Sequence, residues 1–203
     1  MSRLDDTDRS KACAVSLCGV GGQGVVLAGV ILGDAAVRAG LWACQSAAYT
    51  VAARGGFARS EVLVAGQAQA CPLAEQVDLL LALADDAWRV ERERLAAGGL
   101  AVLDEAVRPA CAAEPPGSDT TILVLPLGQL AKEAGRPRSI NVVGLGALAG
   151  LTDIVPKEAL AAAISANLGD NPGDLVAFEL GYAAGRAAAT AMPKTTGEQE
   201  ATS

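Results

Sequence analysis

The residue types best suited to chemistry sit in the run Cys18-Gly19-Val20-Gly21-Gly22-Gln23-Gly24, where Gly19, Gly21 and Gly24 keep the spacing G-x-G-x-x-G. Such a run lets the backbone turn sharply and aims amide N–H groups at whatever lies above the N-terminus of a following helix. The helix dipole alone favours an anion there by about 0.3–1 kcal/mol, with hydrogen bonds added to that. The same glycines also serve where a helix must simply lie close to a sheet, so the spacing leaves both readings open. Gly21, Gly22, Gln23 and Gly24 are the candidate cofactor-binding residues. The Gln23 amide can both donate and accept, which suits it to cap the turn or to touch a polar ligand.

A dinucleotide site needs more, namely an acid about 20 residues beyond the glycines to hold a ribose hydroxyl. The expected second strand, Leu41-Trp42-Ala43-Cys44, runs into Gln45-Ser46-Ala47-Ala48-Tyr49, and no acid precedes Glu61. Arg54 offers a guanidinium for a 2′-phosphate, but Gly55-Gly56 beside it mark a loop of different purpose. Nicotinamide binding is thereby the weaker reading. Other chemistries are also poorly provided for. The chain has no histidine, and its five cysteines, Cys13, Cys18, Cys44, Cys71 and Cys111, contain no C-x-x-C pair. Zinc and iron–sulfur ligation are not expected of it, and the thiols read as small hydrophobes. Without imidazole, acid–base work falls to carboxylates, lysines or another chain.

The elements that must position these residues follow from the apolar pattern. Short apolar runs alternate with helical periods over 203 residues, as a single α/β domain of three layers (α/β/α) with a mostly parallel sheet requires. The first strand, at Ala14-Val15-Ser16-Leu17, leads through the Rossmann-like glycine-rich turn into a helix from Val25 to Arg38. Further strands are expected at Ser60–Ala65, Val77–Leu83, Leu100–Asp104 and Thr121–Leu125. The nearly unbroken run Val77-Asp78-Leu79-Leu80-Leu81-Ala82-Leu83 suits a strand covered on both faces. Asp85 and Asp86 open a helix that carries Trp88, Val90 and Leu95 and stops at Gly98-Gly99. Cys111 to Ser118, with Pro115-Pro116-Gly117, reads as a surface loop. The last third is helical, with Pro156 and Pro172 at helix starts. Gly144, Gly146 and Gly150 lie at close helical spacing, and since glycine costs a helix up to about 1 kcal/mol each, another backbone must approach there closely. The domain is bounded at 13–190, between polar tails at 1–12 and 191–203 that are expected to be disordered.

A net charge of −7 disfavours nucleic acid and anionic membrane surfaces, which need a basic face. No apolar run is long enough to span a bilayer, and the start lacks the apolar core of a signal peptide, so a cytoplasmic location is expected.

Four segments in order resemble the gamma subunit of the 2-oxoacid:ferredoxin oxidoreductases, the pyruvate, 2-oxoglutarate and ketoisovalerate enzymes. They are Gly19-Val20-Gly21-Gly22-Gln23-Gly24, Ser46…Tyr49…Arg54-Gly55-Gly56, Asn141-Val142-Val143-Gly144-Leu145-Gly146, and Ala177-Phe178-Glu179-Leu180-Gly181-Tyr182. The resemblance runs from about Cys13 to Arg186. It implies a complex that oxidatively decarboxylates a 2-oxoacid to an acyl-coenzyme A, using thiamine diphosphate with Mg and iron–sulfur clusters, and passing electrons to ferredoxin. In that family the thiamine site lies between alpha and beta subunits, and the clusters are held by beta and delta subunits or domains. The gamma-type chain would bind none of these groups alone, contribute no catalytic residue, and be inactive by itself. Its partners would be the alpha, beta and delta subunits, with a homodimer as an alternative.

On that resemblance Ser46, Tyr49, Arg54, Gly55, Gly56 and Asn141 are candidates for a subunit interface or a coenzyme A contact. The planar fork of Arg54 suits a partner carboxylate or a coenzyme A phosphate, and a surface ion pair is the plainer alternative. Many relatives carry Tyr-Gly-Pro-Glu before Arg-Gly-Gly, whereas this chain reads Tyr49-Thr50-Val51-Ala52-Ala53-Arg54. The oxoacid is not readable from these residues. Two other classes remain open at this stage, a free-standing nucleotide-binding oxidoreductase and an orphan interaction module.

Overall fold

The structure is a computed structural model, and it describes residues 12–50, 56–69, 74–117 and 119–192. The expected tails at 1–11 and 193–203, together with Arg54, Gly55 and Cys71, lie outside the described residues. Six strands form one sheet: β1 (Cys13–Val20), β2 (Trp42–Tyr49), β3 (Phe57–Ala65), β4 (Val77–Ala82), β5 (Leu95–Asp104) and β6 (Thr121–Leu125). Their order across the sheet is β2-β3-β1-β4-β5-β6. The ladders β1/β4, β4/β5 and β5/β6 are parallel, while the β2–β3 hairpin folds back antiparallel onto β1.

Seven helices cover the two faces: α1 (Val25–Arg38), α2 (Asp85–Glu91), α3 (Arg108–Ala113), α4 (Leu127–Glu133), α5 (Ile140–Thr152), α6 (Lys157–Leu168) and α7 (Pro172–Ala191). Strand alternation sorts the core into two clusters. Val15, Leu17, Leu79, Leu81 and Val102 pack with α1, α5, α6 and α7, whereas Leu80, Ala82, Ala101 and Leu103 pack with Trp88, Val107 and Ala110 beneath α2 and α3. The central strands are buried on both faces, which explains why the Val77 run is apolar almost throughout.

Three sequence expectations are corrected. The second strand does not end at Cys44 but continues to Tyr49. It tolerates Gln45 because that amide donates inward to the Val26 carbonyl (3.0 Å) and to Ser60 Oγ (2.7 Å). Leu95 belongs to β5 and not to the helix opened by Asp85. The helix stops at Glu91, whose carboxylate binds Arg94 Nη1 at 2.9 Å, and a 3₁₀ turn at Arg92–Arg94 leads directly into the strand. Gly98, with φ of 71°, then lies inside β5, opposite a register shift in β4 between Val77 and Leu79. Cys111 is helical too, since α3 runs to Ala113 and the loop begins only at Glu114.

The glycine-rich segment at Asn141 to Gly150 finds its close neighbour within the chain. A Cβ on Gly146 or Gly150 would strike the α7 backbone at Phe178 or Tyr182, and a Cβ on Gly181 or Gly185 would strike the α5 backbone at Val143 or Ala147. Two glycines on each helix receive the other's main chain. Gly144 instead admits the Leu81 side chain, joining this helix pair to the sheet. The packing gain that the helix cost demanded is therefore the α5–α7 contact.

Candidate functional site

The glycine turn joins the C-terminal end of β1 to α1. Gly22 (φ 94°) and Gly24 (φ 69°) occupy the left-handed region that favours glycine. Gln23 N–H donates to the Val20 carbonyl (3.1 Å), and Gly21 N–H donates across to the Gly56 carbonyl at the start of β3 (2.9 Å). The turn is thus pinned to the connecting end of the β2–β3 hairpin, where β3 begins. No side chain caps the N-terminus of α1, and no acid lies in its first turn. Its first amides therefore keep their partial positive charge unneutralised by the chain.

Between this N-terminus and the hairpin lies a cleft of about 880 Å³. One side is Val20, the Gly21, Gly22 and Gly24 backbone, and Val25, Val26, Leu27 and Val30 of α1. The other is Tyr49, Thr50, Gly56 and Ala58. Leu27, Val30 and Tyr49 are exposed, with Tyr49 at 71%, so the rim is apolar where a monomer's surface is usually polar. Among the described residues no titratable side chain except the Tyr49 phenol lines it. The cleft can hold an extended, largely neutral molecule with an anionic group near the amides. Its described lining residues supply no carboxylate, amine or imidazole with which to move a proton.

Of the sequence candidates, Gly21, Gly22, Gly24, Tyr49 and Gly56 come together here. Gln23 lies behind the turn: Oε1 accepts from Val20 N–H (2.8 Å) and Nε2 donates to the Leu83 carbonyl after β4 (2.9 Å). Asn141, 4% exposed near the start of α5, donates from Nδ2 to the Gly24 carbonyl (3.0 Å). Ser46 is three residues from Tyr49 along the strand and so projects from the opposite face of the sheet. Arg54 and Gly55 lie outside the described residues.

Sequence reasoning missed Leu27 and Val30 as rim residues. The signal was present, because α1 is apolar all round from Val25 to Leu32 although its buried residues, such as Ala28, Ile31, Leu32 and Ala35, occupy only one side. It also missed a charged cluster on the opposite face of the sheet. Glu91, fully buried, accepts from Ser16 Oγ (3.0 Å), Arg59 Nη1 (2.8 Å) and Arg94 Nη1 (2.9 Å). Arg94 Nη2 also donates to Glu61 (2.6 Å) and to the Ala74 carbonyl (2.6 Å), while Ala74 N–H donates to Glu61 Oε1 (3.1 Å). Burial, reinforced by the Glu91 charge, pushes the neighbouring Cys18 thiol well above its usual range against the opposing Arg59 and Arg94. Every buried side-chain polar atom of this cluster is satisfied, which marks it as a fastening of α2 to β1 and β3.

Among the described residues no group of three or more His, Cys, Asp or Glu side chains could hold a metal ion. The described residues therefore do not fit an iron–sulfur cluster or a carboxylate-held magnesium. Nor is any described helix long and apolar enough to cross a membrane.

Comparison with known proteins places this geometry. Residues 14–184 match the family model described as pyruvate ferredoxin/flavodoxin oxidoreductase. The 2-oxoglutarate synthase subunit KorC of Methanocaldococcus jannaschii is 36% identical over 172 residues, which cover 83% of this chain and 91% of that one. The gamma subunit of keto/oxoacid ferredoxin oxidoreductase from Geobacter sulfurreducens has a similar fold, with a TM-score of 0.75 at 30% identity, covering 88% of this chain and 98% of that one. The 2-oxoglutarate:ferredoxin oxidoreductase of Magnetococcus marinus, solved with 2-oxoglutarate, coenzyme A and succinyl-CoA bound, also reaches 0.75, at 26% identity; the match covers 91% of this chain and 32% of that longer one. Fold, motif order and family model agree, and the chain belongs to the pyruvate ferredoxin/flavodoxin oxidoreductase family, as a chain of its gamma-subunit type.

Proposed function

We propose that this chain is the gamma subunit of a thiamine diphosphate- and iron–sulfur-dependent complex that oxidatively decarboxylates a 2-oxoacid to an acyl-coenzyme A, with ferredoxin as electron acceptor. Its part is assembly with the thiamine- and cluster-bearing subunits, together with reception of coenzyme A in the cleft beside Gly21 and Gly22. The observation that carries this reading is the cleft itself, which among the described residues is apolar along its walls, offers no titratable group but the Tyr49 phenol, and is bordered by a helix N-terminus without a side-chain cap. Such a site suits a pantetheine arm with a phosphate near the amides, and it suits a subunit that binds while others do chemistry. The bound molecules named for the Magnetococcus relative support the same choice. Within the cleft the chain's own residues have three tasks. The Gly22 backbone leaves room for close approach, Leu27 and Val30 exclude water from one wall, and Tyr49 presents an amphipathic ring at the rim. The lone chain has no turnover on this reading, and 2-oxoglutarate is the first oxoacid to try.

The test is to purify the tagged chain anaerobically from its native cell, with its partners, and to assay thiamine diphosphate, iron and 2-oxoacid-dependent, coenzyme A-dependent acceptor reduction. Leu27→Trp, which fills the mouth of the cleft, should raise the KM for coenzyme A about tenfold or more. Isolation of the chain without thiamine- and iron-bearing partners would overturn the subunit reading. An unchanged KM in an assembled Leu27→Trp complex would remove coenzyme A from the cleft.

A further inference from the structure

We infer that Gln23 and Asn141 are positioning residues that hold the glycine turn from behind, so that only the Gly21-Gly22 side is open and a ligand enters from the hairpin side. This rests on the reading of the cleft as the coenzyme A site.

The glycines themselves show the division. Gly19 and Gly24 belong to the signature spacing, yet neither makes room for a ligand. A Cβ on Gly19 would collide with Gln23 Oε1, and a Cβ on Gly24 would lie 2.7 Å from Asn141 Nδ2. Both are glycine so that an amide side chain can lie against the main chain. Gly22 is the reverse case, since no described residue lies within 4 Å of where its Cβ would be. It faces open space.

The two amides also close the site that this topology would otherwise offer. In an open α/β sheet the usual ligand crevice lies at the C-terminal strand ends where the strand order reverses, here between β1 and β4, with α1 and α2 on opposite faces. Gln23 bridges that gap, tied to Val20 N–H at the end of β1 and to the Leu83 carbonyl after β4. Asn141 reaches from α5, 117 residues away in sequence, to fix the Gly24 carbonyl. On the other flank the Gly21 amide is held by Gly56. Bonds on both flanks leave Gly22 facing the cleft. Gln23 thereby blocks the dinucleotide crevice and shapes the neighbouring cleft with the same amide.

The experiment uses the assembled complex, with coenzyme A as the varied substrate. Gln23→Met keeps the side-chain length and removes both bonds; Gln23→Glu keeps the acceptor for Val20 N–H and loses the donor to Leu83. Gln23→Met should raise the KM for coenzyme A about tenfold, a rise that exceeds any fall in kcat, with Gln23→Glu intermediate. Asn141→Asp, which loses its donor to Gly24, should shift KM in the same direction. A purely structural role would lower the melting temperature and the yield of complex while leaving the KM of what assembles unchanged, and that result overturns the inference. Should Gln23→Met fail to assemble, Gln23→Glu and Asn141→Asp decide on the same criterion. Leu27→Trp separates the two levels. If it raises KM and the amide variants do not, the cleft stands and the positioning role falls; if none raises KM, the coenzyme A reading falls.

Discussion

Replacing Glu91 with Gln should destabilise the isolated chain far more than a charge removed from the surface. The carboxylate is fully buried, and it accepts from Ser16, Arg59 and Arg94 at 2.8 to 3.0 Å. With Glu61 it balances two guanidiniums, so Gln at 91 leaves one partly buried positive charge unmatched and turns a donating NH₂ toward a donor. Breaking a buried pair by removing one partner costs about 3–5 kcal/mol. For a domain of this size each kcal/mol lowers the melting temperature by about 2–4 °C, so a fall of about 6–20 °C follows. Thermal unfolding followed by circular dichroism at fixed pH and salt reads this directly. Asp34→Asn is the control, because its i,i+4 pair with Arg38 is partly exposed and worth about 0.5 kcal/mol or less. A Glu91→Gln melting temperature within about 2 °C of that control would refute the reasoning, and the cluster would then be no fastening.

Three further outcomes are expected. Burial holds the Cys18 thiol protonated in the folded chain, so above about pH 8.5 the unfolded state binds fewer protons and stability falls by up to about 1.4 kcal/mol per pH unit; Cys18→Ala should flatten that decline in urea titrations run from pH 7.5 to 10, and an unaltered slope contradicts it. Gly181→Ala should cost about 1–3 kcal/mol by driving α7 off the Val143 carbonyl, whereas Gly33→Ala, with nothing within 4 Å, should be neutral or slightly stabilising; equal melting temperatures would show that the helix pair is looser than its geometry. Gly22→Val should cost about 1–2 kcal/mol through backbone strain alone, since φ is 94° and the space around it is empty, and an unchanged melting temperature would mean that the turn adopts another conformation.

Much of the frame was legible because it is written in local pattern. The α1 limits, the apolar run of β4, the limits of β6 and the helix start at Pro172 all follow from periodicity and from residues that open or stop an element. The glycine turn was legible as a turn, but its direction was not, because the Gln23 amide finds its partner at Leu83 and the Gly24 carbonyl finds its partner at Asn141. The second half of β2 read as loop because Gln45 and Ser46 interrupt the apolar run, and only Ser60 and the Val26 carbonyl show why Gln45 is at home there. Leu95 read as helical because its spacing from Trp88 is helical, whereas the break at Glu91 depends on a hydrogen bond from Ser16 of β1 and ion pairs with Arg59 of β3 and Arg94. Nothing in the local pattern singles out Leu27 and Val30 within the apolar start of α1, and the packing places them at the rim of the cleft. What escaped the sequence was in each case a partner distant along the chain.

The tie between Gly24 and Asn141 has a consequence for the order in which the molecule is made. The turn is synthesised before α5, and the amide that completes it arrives more than a hundred residues later, on a helix that is itself seated by α7. A nascent chain halted anywhere before α5 carries the whole glycine signature and lacks a finished cleft. Loop closure over that distance is among the slower steps open to a chain of this length, so the earliest-made part of the binding surface is among the last to be completed.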